Sequence, residues 1–340
     1  MEIKMELQKP YLLFLGDAAD PLAAKVAQGI KQWHPEYCVG QFRLESCQAD
    51  CGLEDMTIEA AAKAGAKTLV IGVANRGGII SEEWISVLKE ALEAGMDLAS
   101  GLHNRLNDIP ELVEVANRAG RKLFDVRYPT QSYPVANGKK RSGKRLLTVG
   151  TDCSVGKMYT SLAIEKEMNA QGINVDFRAT GQTGILISGN GVSVDCVVAD
   201  FIAGAIEAIS PDNTDDHWDI LEGQGSLFHP SFAGVTTGLI HGSQADALVL
   251  CHEPTRTHMR GVPEYSLPSI QECMAANLAT ARLTNPAAHF VGISVNTSQL
   301  EEAEALALMD KIETETGLPT VDPFRQGVSR IVECAVREDA

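Results

Sequence analysis

One stretch restricts the fold of this 340-residue chain more than any other: an apolar run LLTVG at 146–150, the turn Thr-Asp-Cys-Ser-Val, then Gly156-Lys157 and MYTSLAIEKEM. An apolar strand that ends in a glycine-bounded turn and continues through a lysine into a helix is how α/β proteins wrap backbone amides around an anion. The N–H groups around 152–158 surround the ligand, the helix start adds its positive end, and Lys157 supplies a charge where phosphate oxygens lie. Gly150, Thr151, Asp152, Cys153, Ser154, Val155, Gly156, Lys157 and Met158 are therefore expected to hold a phosphate or pyrophosphate, a purely structural turn being the alternative.

The motif departs from its usual form of Gly, four residues, Gly, Lys, then Ser or Thr. Thr151 stands at the first-glycine position, with Gly150 one residue early, and Met158 follows the lysine where a hydroxyl would ligate magnesium. Thr160 and Ser161 are near, but a helix turns them away from that position. A cradle that grips phosphate without a tightly bound metal is expected, and it suits a hydrolase or kinase poorly because those reactions rely on a metal clamp.

Around this motif the chain alternates strand and helix patterns. In the first half, strands are expected at 11–16 and 67–75, helices at 21–33, 57–66, 82–94 and 110–119, and shorter apolar pieces at 96–102 and 122–129. In the second half, strands are expected at 145–150, 173–178, 218–223, 245–253 and 288–296. Helices are expected there at 156–171, 196–209, 268–282, 299–316 and 325–338. Near-continuous Val, Ile and Leu runs are what strands buried on both faces require. The fold class is α/β, with two parallel-sheet domains. Pro129, Pro134, Asn137 and Gly138 interrupt the pattern beside the basic run Lys139, Lys140, Arg141, Lys144, Arg145. That places domains at 1–135 and 145–340, with 136–144 an exposed linker that serves either as a solvated hinge or as a phosphate-steering patch.

Asp and Glu outnumber Lys and Arg by 45 to 29, a formal charge of -16, and that field repels a nucleic-acid backbone. Eight cysteines are too dilute for a disulfide scaffold, and Cys47 and Cys51 have no second close pair to complete a zinc site. Reduced thiols are expected. Without an apolar leader or a run of 18 apolar residues, no membrane role is expected and a cytoplasmic enzyme is.

Several polar groups follow the expected strands. Glu222, at the carboxyl end of WDILEG, is placed to coordinate magnesium, orient an ammonium group, act as a base, or merely cap a helix. His229 in the following loop is either catalytic or structural. Arg256 and Arg260 lie in CHEPTRTHMRG, and their guanidinium forks suit a carboxylate or phosphate, a surface ion-pair loop being the alternative. Arg178 and the ATGQTG that follows should rim the same cleft, and Asn75, Arg76 and Gly77-Gly78 form a second candidate contact in the first half.

GTDCSVGK, VDFRATGQTG and LEGQGSLFHP together resemble the phosphate-loop family that contains dethiobiotin synthetase. Its cradle carries over onto Gly150, Thr151, Asp152, Gly156 and Lys157 and its glutamate onto Glu222, while its magnesium-binding threonine falls at Met158. Over essentially the full chain, including ANRGG and CHEPTRTHMRG, the sequence resembles the DUF1611 family more closely. That resemblance implies a Rossmann-like domain followed by a P-loop NTPase-like domain. One branch of the family acetylates the amino group of D-glutamate with acetyl-CoA in bacterial D-amino-acid catabolism. The resemblance thus implies an acyltransferase with acetyl-CoA as co-substrate, an ATP-dependent ligase or kinase being the alternative. The coenzyme phosphates would sit on residues 152–158, with Glu222 or His229 as base and amides near Gly223–Ser226 facing the oxyanion. Arg178, Arg256 and Arg260 would take the glutamate carboxylates. Direct transfer is expected over an acetylated Cys153, in a homo-oligomer that acts on a small molecule.

Overall fold

The computed structural model describes residues 7–21, 23–73, 78–129 and 131–337. They form two compact units. The first comprises the described residues of Met1–Thr130 together with Gly181–Cys196, and the second comprises Gln131–Thr180 and Val197–Ala340.

The first unit runs β1 (Tyr11–Gly16), α1 (Lys25–Trp33), β2 (Cys38–Arg43), α2 (Ile58–Lys63), β3 (Thr68–Ile71), α3 (Glu82–Glu93), β4 (Asp97–Ser100), α4 (Pro110–Ala119) and β5 (Leu123–Asp125). Its strands pair in parallel in the order β2-β1-β3-β4-β5. β1 lies inside the sheet, and all six of its residues are buried, as its unbroken apolar sequence requires. Gly16 ends it at a φ of 52°, and a Cβ there would lie 2.6 Å from the Trp84 ring. That indole meets Phe14 edge-on at 5.1 Å and donates from Nε1 to Asp17. β2 carries no long apolar run because it is a half-buried edge strand, and so sequence periodicity does not announce it. α1 starts at Lys25, later than Pro21 suggests, because Asp20 accepts the Ala23 amide in a turn before it.

The second unit begins with β6 (Lys144–Gly150), α5 (Lys157–Ala170) and β7 (Val175–Arg178). The chain then contributes α6 (Gln182–Ser188) to the first unit before returning with α7 (Ile202–Ile209). It continues through β8 (Trp218–Leu221), α8 (Ala233–Ser243), β9 (Ala247–His252), β10 (His258–Met259), β11 (Val262–Ser266) and α9 (Ile270–Ala281). β12 (His289–Val295), α10 (Glu302–Thr316), β13 (Thr320–Val321) and α11 (Ser329–Arg337) complete it. Six parallel strands form a sheet in the order β13-β12-β9-β6-β8-β7, and β10 and β11 make a separate antiparallel ribbon. One face of the sheet presents Leu146, Ile220, Val249 and Val291 to Ile164 and Met168 of α5 and to Ile331 and Val332 of α11. Each such fully buried aliphatic side chain contributes about 1.5–3 kcal/mol. All eight cysteines are free thiols, and no helix among the described residues is long and apolar enough to cross a membrane.

The basic run at 139–145 is not a solvated hinge. Residues 134–140 are exposed but tied down: Glu207 of α7 accepts the amides of Asn137 and Gly138, and Lys140 pairs with Asp246. Arg141 is buried, and desolvation pushes its guanidinium down to about 10. Arg145 has no exposure at all. It donates to the carbonyls of Arg141, Ser142, Gly143, Ser210 and Pro211 at 3.0–3.3 Å, and its Nε lies 3.9 Å from buried Asp219. Sequence alone marks these arginines as charged and therefore exposed, whereas carbonyls take up the Nη donors of Arg145 and the nearby Asp219 carboxylate offsets its charge. Arg145→Met should therefore cost about 3–5 kcal/mol of stability. It should lower the urea midpoint, while exposed Lys139→Ala changes stability by less than about 0.5 kcal/mol. An unchanged midpoint for Arg145→Met would refute the bracing role.

Candidate functional site

The candidate site gathers at the carboxyl ends of β6, β8 and β9 in the second unit, where an open α/β sheet presents its loops. β6 ends at Gly150, and a Cβ there would fall 2.8 Å from Val155 and 3.2 Å from the Lys157 ammonium. Glycine thus lets the loop fold back over its own strand. Ser154 adopts a left-handed φ of 53° and Gly156 one of 104°, so the backbone curls before α5 begins at Lys157. α5 has no side-chain cap and no acidic residue in its first turn. Its leading amides have no carbonyl of the helix to donate to, and a bound anion would satisfy them.

Lys157 is buried, lies along the loop and donates to the Asp152 carbonyl at 2.8 Å. Burial pushes its ammonium below the usual lysine range. Met158 occupies the position of the metal hydroxyl. Thr160 and Ser161 are committed elsewhere: Thr160 Oγ1 donates to the Gly156 carbonyl and meets Ser294, and Ser161 meets Thr148 and donates to the Leu221 carbonyl.

A second layer holds the loop. The Asp152 side chain is fully buried; its Oδ1 accepts the Cys153 amide, and its Oδ2 accepts both Arg256 Nη1 at 2.6 Å and the Arg260 amide at 2.8 Å. Arg256 also donates to the carbonyls of Cys153 and Ser154 and pairs through Nε with Glu253. The Arg260 guanidinium reaches the Ser154 hydroxyl. The two arginines from the segment after β9 thus clamp the outer side of the cradle. Arg256, expected as a carboxylate receptor, braces the loop instead with most of its donors, those on Nε and Nη1 and one on Nη2. Arg260 is exposed and retains donors beyond Ser154.

On the β8 side, Glu222 is buried next to the cradle. Its carboxylate accepts the Thr180 amide at 2.9 Å and the Gln224 side-chain amide at 3.0 Å, and its carbonyl accepts the Thr180 hydroxyl. Gly223 lies so close that a Cβ would be 1.8 Å from the Thr148 carbonyl and 2.9 Å from the Lys157 stem. Its amide is donated to Thr148 Oγ1, which removes it from the candidate oxyanion donors and leaves the following amides. Ser226 Oγ donates to the Thr151 carbonyl and so ties the same loop to the cradle.

His229 is brought close to the cradle but is not placed to act as a base. Its Nδ1 accepts the Ser231 amide, so its Nε2 carries the proton and donates to the Arg260 carbonyl. No lone pair remains on the ring. Arg178 pairs through Nε with buried Asp219 and through Nη2 with Asp176, so part of its guanidinium braces the end of β7. Thr180 contacts Glu222, while the chain from Gly181 belongs to the first unit. Asn75 and Arg76, with Gly77, lie outside the described residues.

Sequence reasoning did not single out the contact between Thr151 Oγ1 and His252 Nδ1 at 3.0 Å. Burial lowers the His252 pKa and favours the neutral ring. Burial also raises the Cys153 thiol and pushes that of Cys251 up to about 11, so neither is poised as a thiolate. Asp152, Cys153 and His229 bring ligand atoms within 4.8 Å of one another, as do Asp176, His217 and Asp219. In both clusters an arginine already neutralises a carboxylate at 2.6–2.7 Å, and that charge opposes a cation.

With this geometry in view, the likeness to known proteins is direct. Residues 134–332 match the model of the DUF1611 P-loop domain, and residues 38–129 match that of the DUF1611 Rossmann-like domain. The chain is 61% identical over 327 residues to the D-glutamate N-acetyltransferase of Tritonibacter scottomollicae, covering 96% of this chain and 98% of that one. It is 53% identical over 328 residues to the D-glutamate N-acetyltransferase of a Pseudoalteromonas species, covering 96% and 99%. A crystal structure of a DUF1611 family protein from Anabaena variabilis superposes with a TM-score of 0.85 at 32% identity, over 97% of this chain and 100% of that one. The chain belongs to the DUF1611 family, with a Rossmann-like domain and a P-loop domain.

Proposed function

We propose that this protein transfers the acetyl group of acetyl-CoA to the amino group of D-glutamate. The observation that carries this reading is the end-to-end likeness to two D-glutamate N-acetyltransferases at 61% and 53% identity. The cradle is chemically compatible with it. Amides, a helix start and Lys157 can grip the coenzyme's diphosphate, and methionine in place of the metal hydroxyl suits holding a phosphate better than cleaving it.

In this reading the amine of D-glutamate attacks the thioester carbonyl, and Glu222 takes the proton that the amine sheds. Glu222 is preferred because it follows β8, the strand next to β6, and adjoins Gly223, which packs against the Lys157 stem, whereas both nitrogens of the His229 ring are engaged by the protein. The oxyanion is assigned to the amides of Gln224, Gly225 and Ser226, and collapse of the intermediate expels the coenzyme thiolate. Arg260, which is exposed and keeps donors beyond Ser154, is preferred for a substrate carboxylate. Direct transfer is preferred over an acetyl-Cys153 because burial raises that thiol. The proposal includes a cytoplasmic setting and a homo-oligomer that works on a small molecule.

The test is thiol release from acetyl-CoA by the purified protein without ATP, with D- and L-glutamate compared. D-selective release is expected. Lys157→Ala should raise the KM for acetyl-CoA about 10- to 100-fold, and Glu222→Gln should lower kcat about 10²- to 10⁴-fold. Release from neither enantiomer, or turnover only with ATP and magnesium, would replace this reading with an ATP-dependent ligase or kinase.

A pH dependence follows from Lys157. Burial lowers its pKa from 10.5, so the free protein loses that charge at a lower pH than an ordinary lysine would. Coenzyme phosphates favour the charged form. Equilibrium affinity for coenzyme A, measured by calorimetry, should therefore be full on the acidic side and fall as pH rises through a value below 10.5. Lys157→Met should bind weakly with that alkaline fall removed, and an identical fall in the variant would show that Lys157 is not its source.

A further inference from the structure

The order β13-β12-β9-β6-β8-β7 sets the two flanks of the cradle apart: Glu222 follows β8 on one side of β6, and the loops after β12 and β13 lie on the other. Those two loops are fastened together. Thr297, fully buried, donates its amide and hydroxyl to buried Asp322, and Arg325 donates to the carbonyls of Thr297 and Leu300. Asp322 also accepts the Phe324 amide at 2.8 Å. On this braced support Phe324 is 62% exposed, with its ring centroid 5.6 Å from that of Tyr159. Tyr159 stands in the first turn of α5, two residues beyond Lys157. A large aromatic held in water by a buried network, beside the start of the phosphate-binding helix, stabilises the fold little and offers a flat face to a ligand.

We propose that Phe324, seated against Tyr159, stacks on the adenine of the coenzyme and thereby fixes its polarity. The inference rests on the acetyl-CoA reading. The adenosine and pantetheine portions leave the coenzyme's diphosphate from opposite ends. With the diphosphate on the cradle, adenine on the β12–β13 side sends the thioester toward β8 and Glu222. The reverse placement would leave the acetyl group on the flank away from Glu222. Stacking on an aromatic side chain is tolerant of substituents and acts through affinity, so Phe324 is a binding residue and not a chemical one.

The experiment compares two donors, acetyl-CoA and S-acetyl-4′-phosphopantetheine, which keeps the thioester arm and lacks the adenosine. Phe324→Ala should lower kcat/KM for acetyl-CoA about 5- to 100-fold, chiefly through KM. The same variant should leave kcat/KM for the truncated donor unchanged, and Phe324→Tyr should retain most of the wild-type value. Calorimetric binding of adenosine 3′,5′-bisphosphate, which carries only the adenosine end, should weaken by a similar factor in Phe324→Ala. Equal losses with both donors, or no loss with either, would overturn the proposal. Wild-type protein that binds the bisphosphate through Phe324 but transfers no acetyl group would support the subsite and sink the acetyltransferase reading. Failure of wild type to bind the bisphosphate or coenzyme A would sink both.

Discussion

The buried carboxylate of Asp152 sets the shape on which the phosphate loop depends. It has no exposure, and burying an unpaired carboxylate would be strongly unfavourable, so it must find donors. It finds them in its neighbour's amide, the Arg256 guanidinium and the Arg260 amide. Arg256 then spans the Cys153 and Ser154 carbonyls, and Ser154 takes a left-handed conformation that a serine does not favour alone. The curl of the cradle is thus held from outside by a charge pair, while its inner side is left to amides and a buried lysine. A loop prepared in this way gives up little conformational freedom when an anion arrives.

This arrangement also accounts for the altered motif. A hydroxyl after the lysine matters when a divalent ion must bridge phosphate oxygens during phosphoryl transfer. Here Met158 fills that position, and the nearby hydroxyls of Thr160 and Ser161 join β6, β8, β12 and α5 internally. Positive charge comes instead from Lys157 and the helix start. Such a site is suited to a ligand whose phosphates are a handle and whose reaction takes place elsewhere on the molecule.

Much of this was legible from sequence because it is local. The β6 strand, the turn and α5 follow one another within 27 residues, and the central strands announce themselves as continuous aliphatic runs. The failure of Thr160 and Ser161 to replace the missing hydroxyl was also legible, since helical geometry alone decides it. What was not legible is pairing at a distance. Arg256 meets Asp152 across 104 residues and Arg178 meets Asp219 across 41, and only the strand order brings those partners together. An arginine in a loop and one committed to a buried aspartate look alike in sequence. His229 misleads for the same reason, since its amide and carbonyl partners carry no side-chain signal. The ribbon of β10 and β11 and the edge strand β13 are short, and two to five residues leave no periodicity to read.

The excursion of Gly181–Cys196 has a consequence for how the two units come into being. α6 belongs to the first unit and packs on α1, yet it is encoded after β6, α5 and β7 of the second. On the ribosome the first unit cannot be completed until the opening segment of the second has been synthesised, so β6, α5 and β7 emerge before the first unit can close and wait for strands made later. The same threading means that neither unit corresponds to one uninterrupted stretch of gene. A single recombination point could not exchange one unit for another, and three would be needed, which favours inheritance of the pair as a block.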